Sequence, residues 1–142
     1  LLHFAASAVR PQGRPAGGMA GISLAAGERA VHFGVIPAGT ASDGEEQAVV
    51  VTVAGSADAL PGTQPGTAKV SPFAVYPGKG RATGGVRAQR FLRDENTLLL
   101  AWVGPGPARA SGSAGQQIEL PALDQRRDGS GTPLPAPVHT IG

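Results

Sequence analysis

The chain has 142 residues, the length of one domain with one modest core. Gly 22 and Pro 13 make up about a quarter of it, close to the level at which disorder competes with folding. The net charge of +2 does not by itself imply a polyanionic partner, and the pI near 9.7 reflects a preponderance of arginine among the cations. The absence of cysteine excludes disulfides and thiolate metal sites. No apolar run is long enough to cross a bilayer, and no basic segment with a cleavage site marks a signal peptide.

In chain order, Leu1 to Ser7 reads as half of an outer strand, so the chain is expected to be a piece of a longer protein. Pro37 to Gln47 reads as a flexible insertion of small, polar and acidic residues, in which Asp43, Glu45 and Glu46 are expected to be solvated. Ala48 to Ala54 is apolar and β-branched, the pattern of a buried strand. A second flexible insertion is expected over 55–67, and Leu98 to Val103 reads as another buried strand. The tail over 132–142 is Pro-rich and is expected to be extended and disordered.

A repeat organises this pattern. Gly13 to Val35 (GRPAGGMAGISLAAGERAVHFGV) aligns without a gap on Gly80 to Trp102 (GRATGGVRAQRFLRDENTLLLAW), at an offset of 67 residues. Gly13, Arg14, Gly17, Gly18 and Glu28 recur as Gly80, Arg81, Gly84, Gly85 and Glu95. Each unit predicts a G-R-x-x-G-G turn, a strand, a polar tight turn at 25–28 or 92–96, and a second strand. A third copy is expected from Arg109, with Arg109-Ala110-Ser111 set against Lys69-Val70-Ser71 and Gln117 to Leu120 against Phe73 to Tyr76. At an offset of 45, Arg126 falls on Arg81 and Gly129 on Gly84.

Blades marked by G-R-x-T-x-G-V-R resemble the C-terminal domain of the A subunits of DNA gyrase and topoisomerase IV, bacterial type IIA topoisomerases. Arg81-Ala82-Thr83-Gly84-Gly85-Val86-Arg87 carries the closest match and Arg14 to Gly21 a looser one. The resemblance implies an all-β fold, a β-pinwheel of about two blades plus part of a third over 1–131. It further implies a cytoplasmic, nucleoid-associated protein that binds, bends and wraps double-stranded DNA without sequence preference, in aid of supercoiling or decatenation. Such a segment has no catalytic centre and no cofactor of its own. ATP and magnesium serve elsewhere in the parent enzyme, an A2B2 heterotetramer with an ATPase B subunit. Gln125 to Gly131 departs from the Q-(R/K)-R-G-G-(R/K)-G box of gyrases, with Asp128 in place of a glycine and Ser130 in place of a cation.

Wrapping duplex by its backbone requires cations along a curved rim, and arginine presents a bidentate fork to phosphate. Arg14, Lys79, Arg81, Arg87, Arg90, Arg126 and Arg127 lie at or beside the repeated glycine turns. Gly17, Gly18, Gly84 and Gly85 could let the backbone approach phosphate, or simply supply positive φ between strands. A protein-interaction propeller with no DNA role is the alternative, in which these cations are only a solvated surface. Enzymatic readings find little footing. Gly78 to Arg81 lacks the P-loop spacing, His3, His32 and His139 lack metal-ligand spacing, and the serines lack His and Asp partners. His32 is expected to face outward, Trp102 to belong to the core, and Tyr76 does not sit in a topoisomerase catalytic motif.

Overall fold

The structure, a computed structural model, describes residues 1–37 and 47–142, so Asp43, Glu45 and Glu46 lie outside the described residues. The fold is all-β, with helix among the described residues limited to single 3₁₀ turns at Ala6–Ala8 and Phe73–Val75. Its strands are Ala48–Gly55 (β1), Thr67–Pro72 (β2), Thr97–Pro105 (β3), Ala110–Ser111 (β4), Gln117–Ile118 (β5), Thr132–Pro133 (β6) and Thr140–Ile141 (β7). They form two antiparallel sheets, ordered β3-β1-β2-β6 and β5-β4-β7.

The apolar run of β1 explains its central place. All eight of its residues are buried, because both faces of its sheet are covered. Val49, Val51 and Val53 meet the C-terminal part of the chain through Ala110, Ile118, Leu120, Leu134 and Ile141. Val50 faces the other way, onto Tyr76, Ala88, Leu1, Phe73 and Val86. A strand covered on both faces has no polar side to alternate with, so it reads as a continuous β-branched run. Each fully buried valine contributes about 1.5–3 kcal/mol. Trp102 packs half-buried against Val49, Val51 and Val70.

The 67-residue repeat is present in the backbone, and it reaches further than the matched residues. The 3₁₀ turn at Ala6–Ala8 corresponds to that at Phe73–Val75, with closing bonds from Val9 N–H to Ala6 (2.9 Å) and from Tyr76 N–H to Phe73 (3.1 Å). The polar turns match as well. Glu28 Oε2 accepts from the Ala25 N–H and Glu95 Oε2 from the Leu92 N–H, each at 2.7 Å. Glu95 also accepts from the Thr67 hydroxyl, a bond that ties its turn to β2. Glu95→Ala is therefore expected to cost about 1–2 kcal/mol and Glu28→Ala about 0.5 kcal/mol or less, which denaturant midpoints of the two variants will check.

Several expectations need correction. Among the described residues, Leu1 to Ser7 forms no strand, and the first repeat holds only one bridged residue, Ile22, opposite Thr83. Of the paired strands predicted after the second G-R turn, only β3 is continuous. Arg109-Ala110-Ser111 does not occupy the place of Lys69-Val70-Ser71. As β4 it lies between β5 and β7, as β1 lies between β2 and β3. The segment 56–66 is the β1–β2 connection, pinned by Gln64, whose side chain accepts from Ser56 N–H (2.9 Å) and donates to the Ser56 carbonyl. The tail is ordered by pairing instead of disordered: β6 pairs with β2, β7 pairs with β4, and Leu134 is buried between. Proline is accommodated because β6 lies at a sheet edge, where a missing N–H leaves no ladder position unfilled.

Candidate nucleic-acid interface

Three chain reversals carry the repeated arginines. The first is Gly13 to Ala16, closed by Ala16 N–H to the Gly13 carbonyl (3.0 Å). The second is Gly80 to Thr83, where the Thr83 hydroxyl donates to the Gly80 carbonyl (2.8 Å). The third is Arg126 to Gly129, where Gly129 N–H approaches the Arg126 carbonyl at 3.5 Å. Their second residues are Arg14, Arg81 and Arg127. The third turn thus aligns one residue later than the sequence suggests, with Arg127 and not Arg126 in the place of Arg81.

Two pairs of bonds fix that register. Ser23 N–H donates to Thr83 (3.0 Å) and Arg90 N–H to Gly129 (3.0 Å), so Gly129 stands where Thr83 does. Just upstream, Lys79 N–H donates to His3 (3.1 Å) and Asp124 N–H to Val70 (2.7 Å), so Asp124 stands where Lys79 does. The extra residue is Gln125. Short Arg/Gly matches cannot locate a one-residue insertion, and only the pairing partners reveal it.

The expected cations divide by what they touch. Arg14, Arg87 and Arg90 are exposed and Arg127 half-buried, and among the described residues none of their side chains makes a hydrogen bond or ion pair. Arg81 is partly committed, since its guanidinium donates to the Ala20 carbonyl at 2.6 Å and holds the first repeat to the second. Lys79 is exposed, with Nζ 3.5 Å from the Gly85 carbonyl. Arg126 is neutralised. It grips Asp124 through Nε to Oδ1 and Nη2 to Oδ2, both 3.0 Å, while its own N–H donates to Oδ1 at 2.9 Å. These bonds hold the Asp124 carboxyl below its ordinary pKa. With Asp128 inside the same turn, the third reversal offers phosphate less than the first two.

The paired glycines serve different ends. Gly17 is exposed with open space beside it, and Gly84 is exposed with only the Ser23 carbonyl in ordinary contact at 3.9 Å, so their backbones are free to approach a ligand. Gly18 (φ +84) and Gly85 (φ +72) turn the chain. At Gly85 the room for a side chain is taken by the Leu1 carbonyl, so the fold itself requires that glycine.

One site went unread in the sequence. Thr67, Lys69 and Ser71 alternate along β2 like a solvent face, yet all three are buried, Lys69 at 2% exposure. Lys69 Nζ donates to Ser71 Oγ and to the Arg127 carbonyl, both at 3.0 Å, and lies 5.9 Å from the centroid of the Tyr76 ring. Ser71 and Tyr76 share a hydroxyl hydrogen bond of 2.7 Å. Desolvation pushes the Lys69 ammonium below its ordinary pKa and the Tyr76 phenol above its own. This layer anchors the third arginine turn onto β2, because the Arg127 backbone is its acceptor.

Among the described residues, no three His, Asp or Glu side chains gather as a metal site, and no helix is long and apolar enough to cross a membrane. No family model and no curated protein matches the chain.

Proposed function

We propose that the chain binds and bends double-stranded DNA along its row of arginine turns, as the β-pinwheel part of a type IIA topoisomerase A subunit. The observation that carries this reading is the recurrence of arginine at one position of three equivalent turns, Arg14, Arg81 and Arg127. A cation recurring at the same turn position in each repeat is what contact with a bent phosphate backbone calls for. Exposed Arg87 and Arg90 extend the row beside the second turn. Strand cleavage and ATP hydrolysis belong in this reading to other parts of the parent enzyme.

Affinity then comes from phosphate contacts and falls steeply with salt. Arg14→Ala and Arg87→Ala are expected to weaken binding equally across sequences and to flatten the log–log salt slope by about one unit each. Arg126→Ala, whose guanidinium is held by Asp124, is expected to change it little. A mobility-shift series on duplexes of about 40 and about 150 base pairs, the longer near the persistence length, supplies the test. Preference for the longer duplex supports bending, whereas absence of binding at low salt overturns the reading. The alternative of a protein-interaction module is favoured by one observation, the exposed apolar segment Val31 to Val35.

A further inference from the structure

At the third arginine turn the chain supplies its own anion. The Asp124 carboxylate takes three hydrogen bonds from one residue. Arg126 Nε and the Arg126 backbone N–H donate to Oδ1 at 3.0 and 2.9 Å, and Nη2 donates to Oδ2 at 3.0 Å. A guanidinium fork backed by a backbone N–H is a donor set that equally holds a phosphate group. The Asp124 side chain is 20% exposed and that of Arg126 75%, so the carboxylate sits inside and the guanidinium covers it. Gly129 makes the room. Its φ lies outside the left-handed region, yet a Cβ there would stand 2.7 Å from Asp124 Oδ2 and 3.4 Å from both Nε and Nη2 of Arg126. The missing side chain leaves space for an anion and its fork.

The second repeat shows that such a turn forms without a carboxylate at this position. The equivalent of Asp124 there is the cation Lys79, and that of Gly129 is Thr83. The third turn is also held by bonds that do not involve the Asp124 side chain. Asp124 N–H donates to Val70 (2.7 Å), Arg90 N–H to Gly129 (3.0 Å) and Lys69 Nζ to the Arg127 carbonyl (3.0 Å). A cleft of about 390 Å³ adjoins the ion pair, and Lys69, Ser130 and Thr132 line it together with Asp124 and Arg126. The Lys69 ammonium acts on the Asp124 carboxylate as a second opposite charge. Among the described residues the hydroxyls of Ser130 and Thr132 have no hydrogen-bond partner.

We propose that the third turn is a phosphate-binding seat and that Asp124 is its internal occupant, an autoinhibitory contact. With Asp124 in place the fork of Arg126 is filled, and an approaching phosphate meets a neutral pair with Asp128 close by in the chain. With Asp124 displaced, the fork and the Arg126 N–H are open to phosphate oxygens, and the two hydroxyls border the adjoining space. The shared ligand chemistry is a phosphate oxyanion, carried by a duplex backbone or by free phosphate. The duplex source rests on the DNA reading, whereas the seat itself rests on Arg126, Gly129 and Asp124. In this account two arginine turns stand open and the third is latent.

Asp124→Ala empties the seat, and the probe is inorganic phosphate titrated into the isotope-labelled 142-residue chain at constant ionic strength. Saturable shifts of the Arg126 and Gly129 amide resonances are expected, with an affinity roughly tenfold or more above that of the unsubstituted protein. Adding Arg126→Ala is expected to abolish the gain. Asp128→Ala removes one negative charge from the same turn but leaves the Asp124–Arg126 pair, so it is expected to give little. Asp124→Asn keeps an acceptor for the Arg126 N–H while cancelling the charge, and it is expected to move in the same direction as Asp124→Ala. Thermal midpoints report that each variant is folded. In the second arm, the shorter duplex is expected to bind Asp124→Ala more tightly, with a salt slope steeper by about one unit. Phosphate binding without that change assigns the seat to free phosphate. If no protein in the series binds duplex, the DNA reading falls and the phosphate arm still decides the seat. The proposal is overturned by a gain that survives Arg126→Ala or by an equal gain from Asp128→Ala. It is equally overturned if folded Asp124→Ala and Asp124→Asn show no gain in phosphate binding.

Discussion

Gly85→Ala is expected to destabilise the protein by about 3 kcal/mol or more, while Gly18→Ala at the equivalent position costs about 1–2 kcal/mol. Both glycines have positive φ, +84 at Gly18 and +72 at Gly85. An alanine at either site therefore meets the left-handed penalty. Only at Gly85 does the added carbon also run into the Leu1 carbonyl and the Leu2 nitrogen, backbone atoms with no side-chain freedom to yield. Gly18 has open space beside it. The difference between the two variants isolates the close approach from the conformational term, and denaturant midpoints measure it. Equal losses would mean that the Leu1 segment moves aside at little cost.

The second large effect concerns Lys69. Lys69→Ala removes a buried four-carbon stem and leaves a cavity, for an expected loss of about 3 kcal/mol. Lys69→Met keeps most of that volume and removes the ammonium, so it separates packing from charge. Lys69 is a base whose folded pKa lies below its unfolded value, chiefly through desolvation. The unfolded chain thus holds the proton more tightly, and the penalty is fully present below the folded pKa. It fades as pH rises through the folded pKa toward the unfolded value of 10.5. Tyr76 acts oppositely and higher, since its raised pKa removes stability only above the ordinary phenol value of 10.0. Wild-type stability is expected to gain a component that rises as pH climbs toward 10.5 and that Lys69→Met lacks. Thermal midpoints at several pH values up to 10.0, where Tyr76 begins to contribute, will show it, and parallel profiles for the two proteins would remove the charge from the account.

How far the fold was legible depends on what each segment encodes. The run Ala48 to Ala54 announced a strand because burial on both faces demands continuous apolar residues. The G-R turns and the glutamates at 28 and 95 were legible because each does a specific local task, chain reversal or acceptance of an N–H. The correspondence of Leu1–Val9 with Ala68–Tyr76 was not legible. A 3₁₀ turn needs only backbone angles, and these two segments share no residue at equivalent positions. Thr67, Lys69 and Ser71 misled in a different way. Polar alternation ordinarily marks a wet face, but here Gln89, Tyr76 and the Arg127 backbone cover it and supply the hydrogen bonds. The arginines were visible as a set, yet their division into open, partly committed and neutralised groups depended on Ala20 and Asp124, which no motif contains.

The repeats are interleaved, and this decides where the molecule can be divided. Leu1 is closed off by Val86, and β2 by β6, so each unit finishes its sheet edge with a segment of the next one. A piece cut at the sequence period would lose a strand at one end and carry an orphan at the other. The smallest cooperative folding block is consequently longer than one period, and local opening of one unit exposes an edge of its predecessor. Lengthening or shortening such an array requires exchange at the G-R turns, where one unit hands its edge to the next.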